Sequence, residues 1–185
     1  NWQTVHLPQS RGFQHQYGHY GAMIDYYRKI RTLKGSDSYD GDLPAGSYVY
    51  DWHRNGEPLL QDGYTTYLIA DEFEAVMDSR DPEKPFFCYV AFNACHSPAA
   101  PNQVPAELRN KYPSRNKTQT FCMDQSIGRI VAALKKHNEY ENTVLIFFND
   151  NGGVHNRQVG ENGIFREGKG TYFEGGVHVP CLISW

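Results

Sequence analysis

The distribution of apolar positions divides the chain into a few strong elements separated by polar, glycine-rich segments. Val144-Leu-Ile-Phe-Phe148 is a short continuous apolar run, the pattern of a strand buried on both faces. It stops abruptly at Asn149-Asp-Asn-Gly-Gly153. Phe86-Phe-Cys-Tyr-Val-Ala-Phe92 is a second such run, introduced by Pro85 and followed by the proline-punctuated loop His96–Pro101. Val177–Trp185 reads as a last strand. Helical spacing appears twice. Leu68, Ile69, Phe73, Val76 and Met77 predict a helix over Thr65–Ser79, ended by Asp78-Ser-Arg-Asp-Pro82. Met123, Ile127, Ile130, Val131 and Leu134 predict another over Thr120–Lys136, with Lys135 and Lys136 at the favourable end of its dipole. Residues 1–63 lack long periodic segments, but Tyr48–Trp52 followed by Arg54-Asn-Gly56 predicts a hairpin with an Asn-Gly turn. Strands alternating with helices argue for an α/β fold, with a mixed, mainly parallel sheet flanked by helices.

The length of 185 residues is sufficient for one domain with its own core. Apolar content is 39%, low for a compact globule, with Tyr and Phe plentiful within it, which fits a globular protein with aromatic-rich loops. A net charge of −3 gives no reason to expect nucleic acid or an anionic membrane as a partner. No apolar run approaches the roughly 20 residues of a membrane span. The four cysteines fit no zinc spacing. Cys88, Cys122 and Cys181 lie in apolar runs and are expected in the core, and Cys95, beside His96, is a weaker candidate nucleophile. The sequon Asn116-Lys-Thr118 is expected in a polar loop.

Chemistry gathers at the loops that follow the predicted strands. In α/β proteins ligands collect at the carboxyl ends of strands. His96 follows the Phe86–Phe92 run, Asp150 and Asn151 follow the Val144–Phe148 run, and Lys169 precedes the last strand. A carboxylate beside an amide oxygen offers hard ligands for Ca²⁺ or Mg²⁺. A cation site with a Lys and a His suits an anionic group. Each residue also has a purely structural explanation: an Asn-Gly turn, a capped loop, a solvated lysine. His53, His155 and His178 are read as structural or surface residues.

Several segments, in order, resemble sulfatases of the arylsulfatase type, within the alkaline phosphatase superfamily. They are Leu7-Pro-Gln-Ser-Arg-Gly-Phe13 with Gln16-Tyr-Gly-His19, Asp51-Trp-His-Arg-Asn-Gly-Glu-Pro58 with Gly63-Tyr64, and Lys84–Phe92 followed by His96-Ser-Pro98. Met123-Asp124 with Ile127-Gly-Arg129, Asp150-Asn-Gly-Gly153, Gly168-Lys-Gly170 and Phe173-Glu-Gly-Gly176 complete the set. The resemblance implies that residues 1–185 are part of a sulfatase catalytic domain. It implies that Asp150 and Asn151 ligate a divalent cation, usually Ca²⁺, with Mg²⁺ as the alternative. His96 and Lys169 would contact the sulfate group as catalytic and substrate-binding residues, either one serving as donor to the leaving oxygen. It also implies a sulfated small molecule or sulfated glycan as substrate, and a secreted, lysosomal or periplasmic location. The oligomeric state is left open.

The departures bear on activity. Sulfatases of this kind use a formylglycine made from the Cys or Ser of a Cys/Ser-x-Pro-x-Arg motif, and no cysteine here lies in one. The Asp-Asp pair and the Gly-Lys-Trp-His motif are also missing from this sequence. The expectation is therefore a central fragment, carrying about half of a site and not competent by itself, with the formylglycine upstream. Two alternatives stand beside it: a phosphatase or phosphodiesterase of the same superfamily, and a non-catalytic binding protein with the sulfatase fold.

Overall fold

The computed structural model describes residues 4–21, 23–32, 48–96, 102–154 and 162–185. The chain forms two compact units, residues 1–133 and residues 134–185.

The first unit begins with two short 3₁₀ turns and a set of small antiparallel ladders. Strand β1 (Tyr17–Gly18) pairs with β4 (His53–Arg54), and β2 (Ile30–Thr32) pairs with β3 (Tyr48–Tyr50). The predicted Asn-Gly turn is present, but the strand it closes is β4 rather than Tyr48–Trp52, whose first residues pair with β2: β4 turns at Asn55-Gly56 into β5 (Glu57–Pro58), with Arg54 opposite Glu57. Asn55 has φ 53° and Gly56 φ 88°, the paired positive values that a type I′ turn demands and that Asn-Gly tolerates. Trp52 is fully buried under this layer, packed with Ile24 and Leu68.

Helix α1 (Thr65–Ser79) has the predicted bounds. It ends where Arg80 turns extended, one residue before the position that Pro82 keeps out of the helical region. Its buried Leu68, Phe73 and Met77 form the core-facing stripe. Helix α2 (Arg115–Lys136) begins five residues earlier than its apolar spacing indicates. Ser114 explains the difference: its hydroxyl accepts from the Lys117 N–H at 3.3 Å, as an N-cap does. The sequon therefore lies inside α2 rather than in a loop, and Thr118 is buried there. The buried face of α2 differs in part from the predicted stripe. Ile130 and Leu134 are buried as expected, but the face continues through Thr118, Gln119, Cys122, Ser126 and Ala133, while Met123, Ile127 and Val131 are half-buried at its flank. Two polar members of this face donate to backbone carbonyls. The Ser126 hydroxyl donates to the Thr66 carbonyl at 3.2 Å, and the Gln119 amide donates to the Gln103 carbonyl at 3.2 Å. Arg129 bridges Asp71 and Glu74, tying α2 to α1.

In the second unit, β6 (Leu145–Phe148) leads to a glycine-rich loop, the one-turn helix α3 (Glu174–Val177) and β7 (Cys181–Ser184). The two strands pair antiparallel, Leu145 opposite Ser184 and Phe148 opposite Cys181.

Three expectations need correction. Phe86–Phe92 forms no ladder among the described residues, and Phe87 and Tyr89 are exposed. β6 alternates between half-buried and exposed positions instead of being enclosed. Of the three cysteines expected in the core, only Cys122 is buried; Cys88 and Cys181 are exposed. All have one cause. An apolar run records a tendency to be covered, but a strand becomes a strand only through a hydrogen-bonded neighbour, and a two-stranded ladder cannot cover its own faces. The ladders present are all antiparallel; the α/β alternation itself stands. Among the described residues no helix is long and apolar enough to cross a membrane.

Candidate functional site

Asp150 and Asn151 stand directly after β6, at the carboxyl end of the strand, as the sequence requires. The chain then enters a backbone weave closed by glycines. Gly152 donates to the Gly176 carbonyl at 3.0 Å, and Gly175 donates to the Arg166 carbonyl at 2.8 Å. A Cβ on Gly152 would run into the Gly175 carbonyl, so this crossing admits no side chain. Lys169 donates its backbone N–H to the Gly153 carbonyl at 2.9 Å. That bond brings the Lys169 backbone to Gly153, two residues after Asn151.

Asn162 locks the arrangement. Its Oδ1 accepts from the Gly153 N–H at 2.8 Å, and its Nδ2 donates to the carbonyls of Gly153 at 3.0 Å and Glu167 at 2.8 Å. One amide thus spans both arms of the loop. Nothing in the hydrophobic pattern marks Asn162, because its role is set by two backbone segments meeting. Thr171 closes the next turn by donating its hydroxyl to the Gly168 carbonyl at 2.8 Å.

The donor set suits a hard cation. Asp150 is exposed, and the Asn151 Nδ2 donates to the Gly152 carbonyl at 2.9 Å. That bond commits the nitrogen branch of the amide to the loop and leaves Oδ1 as an oxygen of the type that can ligate a hard cation. No group of three or more His, Cys, Asp or Glu residues able to hold a metal occurs among the described residues. Lys169 is exposed and carries a point charge suited to an oxyanion.

His96 belongs to the first unit. Its backbone is anchored by Tyr26, one of many loop tyrosines that the sequence pattern does not distinguish. The buried Tyr26 hydroxyl donates to the carbonyls of Asn93 at 2.8 Å and His96 at 3.0 Å. Burial pushes the Tyr26 phenol far up, so it remains a donor. The His96 N–H donates to the Asn93 carbonyl at 2.8 Å, closing the turn from the other side. Ser97 and Pro98 of the same motif, and His155, lie outside the described residues.

The remaining candidate histidines have structural surroundings. His178 sits 2.8 Å from Glu174 and stacks on Phe165. His53 lies 3.4 Å from the buried Asp51 and against the Tyr20 ring. Cys95 is exposed beside His96.

Comparison with known proteins decides the family. The family description Sulfatase matches residues 2–185. This chain belongs to the sulfatase family. Mouse arylsulfatase J is 32% identical over 95% of the chain, and pig N-acetylgalactosamine-6-sulfatase is 30% identical over all of it. The chain spans about a third of the length of these relatives, 30% and 36%. The crystal structure of Ps i-CgsB superposes on 99% of the chain with a TM-score of 0.80 at 28% identity, using 42% of that protein. The same protein in complex with k-i-k-neocarrahexaose gives a TM-score of 0.78. The sulfatase-like fold predicted from the motifs is thereby established for the chain.

Proposed function

We propose that residues 1–185 are the central portion of a sulfatase catalytic domain, and that the whole protein hydrolyses sulfate esters, releasing sulfate and an alcohol. One observation supports this reading most: the Lys169 N–H to Gly153 carbonyl bond, beside the Asn162 clamp, joins the Lys169 backbone to the residue two after Asn151. The Lys169 ammonium neutralises oxygens of the bound sulfate as charge grows in the transition state. Asp150 and the Asn151 amide oxygen hold a divalent cation, Ca²⁺ before Mg²⁺, which supplies Lewis-acid polarisation of the sulfate. His96 contacts the sulfate or donates to the leaving oxygen, its loop held by Tyr26. A formylglycine contributed by sequence outside residues 1–185 supplies the nucleophile.

Relatives that act on or bind sulfated sugars support a sulfated glycan as substrate. One is named N-acetylgalactosamine-6-sulfatase, and one neighbouring structure contains a carrageenan hexasaccharide. A secreted, lysosomal or periplasmic location accompanies this reading.

Two variants of the whole protein test it. Lys169→Ala is expected to lower kcat for sulfate-ester hydrolysis by about 10²- to 10³-fold, the scale of losing one transition-state donor. Unchanged turnover would remove Lys169 from the site. Asp150→Asn is expected to weaken Ca²⁺ binding, read by calorimetric titration, by at least about 10- to 100-fold, since a direct ligand matters no less than the outer-shell partners that are worth this much. Calcium binding equal to that of the parent protein would overturn the ligand assignment. Turnover of phosphate esters in place of sulfate esters would transfer the site to phosphatase or phosphodiesterase chemistry.

A further inference from the structure

A cavity of about 550 Å³ lies in the first unit, lined by Tyr27, Arg28, Tyr50, Gln61 and Asp62, with Leu60 at its rim. Its size is that of a small-ligand site. Its walls are prebuilt. The Lys29 ammonium is buried and donates to the carbonyls of Tyr27 at 2.9 Å and Gly63 at 2.8 Å, stitching two cavity-lining residues together. The Tyr50 hydroxyl donates to the Leu59 carbonyl at 2.7 Å, and the Tyr17 hydroxyl donates to Gln61 Oε1 at 2.7 Å. That last bond orients the Gln61 amide, whose nitrogen carries two further donors.

We propose that this cavity is a sugar subsite, taking an unsulfated pyranose ring of a glycan whose neighbouring residue carries the ester to be cleaved. The inference rests on the glycan reading of the sulfatase function. Position argues for it. Tyr27 follows directly on Tyr26, whose hydroxyl holds the His96 carbonyl, so the cavity wall and the His96 loop share one anchor. Chemistry argues for a ring with hydroxyls. Tyr27 packs on Tyr64 with centroids 5.3 Å apart and also faces the cavity, an aromatic surface for the apolar side of a sugar. Asp62 accepts from hydroxyls and the Gln61 amide donates to them. Charge offers no special attraction for a second sulfate in this place. The Arg28 guanidinium is engaged by Asp25 at 3.1 Å, and Asp62 offsets the Lys29 ammonium behind the wall.

The test uses the whole protein and two hexasaccharide probes, one of the carrageenan type and one of the chondroitin sulfate type, each also in desulfated form. Binding is followed by calorimetry. Turnover is compared with that of a small aryl sulfate lacking any sugar. At least one desulfated probe is expected to bind. Tyr27→Ala should weaken that binding about tenfold, which corresponds to about 1.4 kcal/mol. It should also lower, by a similar factor, the ratio of kcat/KM for the sulfated hexasaccharide to that for the aryl sulfate. Asp62→Asn and Leu60→Ser, on exposed loop positions, should each reduce binding without altering the melting temperature. Absence of binding by every probe, or equal affinity in all three variants, overturns the subsite. If no sulfate ester is hydrolysed while the desulfated probe binds in a Tyr27-dependent way, the sulfatase activity fails and the subsite stands. If the esters are hydrolysed but all variants bind and discriminate as the parent does, the subsite fails and the sulfatase reading stands.

Discussion

At the residue scale, the loop after β6 is organised by atoms that carry no charge. Gly152 crosses the Gly175 carbonyl where a methyl group cannot fit, and Asn162 satisfies three backbone groups with one amide. The charged residues Asp150 and Lys169 are exposed, and their mutual placement depends on this neutral frame. Gly152→Ala is therefore expected to cost about 1–3 kcal/mol of stability, as overpacking does, and to weaken Ca²⁺ binding although no ligand has been removed. Thermal melting and calcium titration of the same variant check it; a native melting temperature with native calcium affinity would show that the crossing is not needed. As candidates, Asp150, Asn151, Lys169 and His96 were all legible in the sequence, because each is a chemically distinctive residue beside a turn signal. Asn162 and Tyr26 were not. Their importance is in which carbonyls they reach, and those lie 9 and 70 residues away.

At the element scale, α2 shows how a helix start escapes hydrophobic periodicity. Its first turn carries no apolar residue, and its boundary is set by Ser114 accepting from Lys117. Replacing Ser114 by Ala is expected to destabilise the protein by about 1 kcal/mol, the usual worth of an N-cap, with little effect on sulfate-ester turnover. A denaturant midpoint equal to that of the parent would deny the cap a role. The buried face of α2 was only partly predicted, for a related reason. Thr118, Gln119 and Ser126 look like surface residues in a sequence, but each is enclosed, and Ser126 and Gln119 are paired with backbone carbonyls. The α1 bounds and the Asn55-Gly56 turn were predicted correctly. There the signals are local: a 3.6-residue period in one case, and two residues that tolerate positive φ in the other.

At the scale of the whole molecule, stability is expected to fall on mild acidification. Burial lowers the pKa of His19 from its ordinary 6.5, partly opposed by its bond to the Gly21 carbonyl and by Asp51. Burial likewise lowers that of His53, opposed by Asp51 and Glu57. The unfolded chain takes up these protons near pH 6.5, whereas the folded chain resists until a lower pH. The stability associated with neutral His19 and His53 is thus present above pH 6.5 and is lost as the pH falls toward the folded-state values. Urea midpoints measured across mildly alkaline to mildly acidic buffers should drop below pH 6.5, and His19→Gln should flatten the drop; a parent midpoint constant over this range would refute the linkage. By itself the sequence determined the α/β class, two helices, the hairpin turn, the four candidate site residues and the family resemblance, since each depends on residue type and short spacing. Only the tertiary structure decided that Phe86–Phe92 has no ladder partner among the described residues, that Cys88 and Cys181 are exposed, and that one backbone bond joins Lys169 to Gly153. Strand pairing, burial and backbone crossings are properties of what comes to lie alongside, and no local pattern of side chains encodes the neighbour.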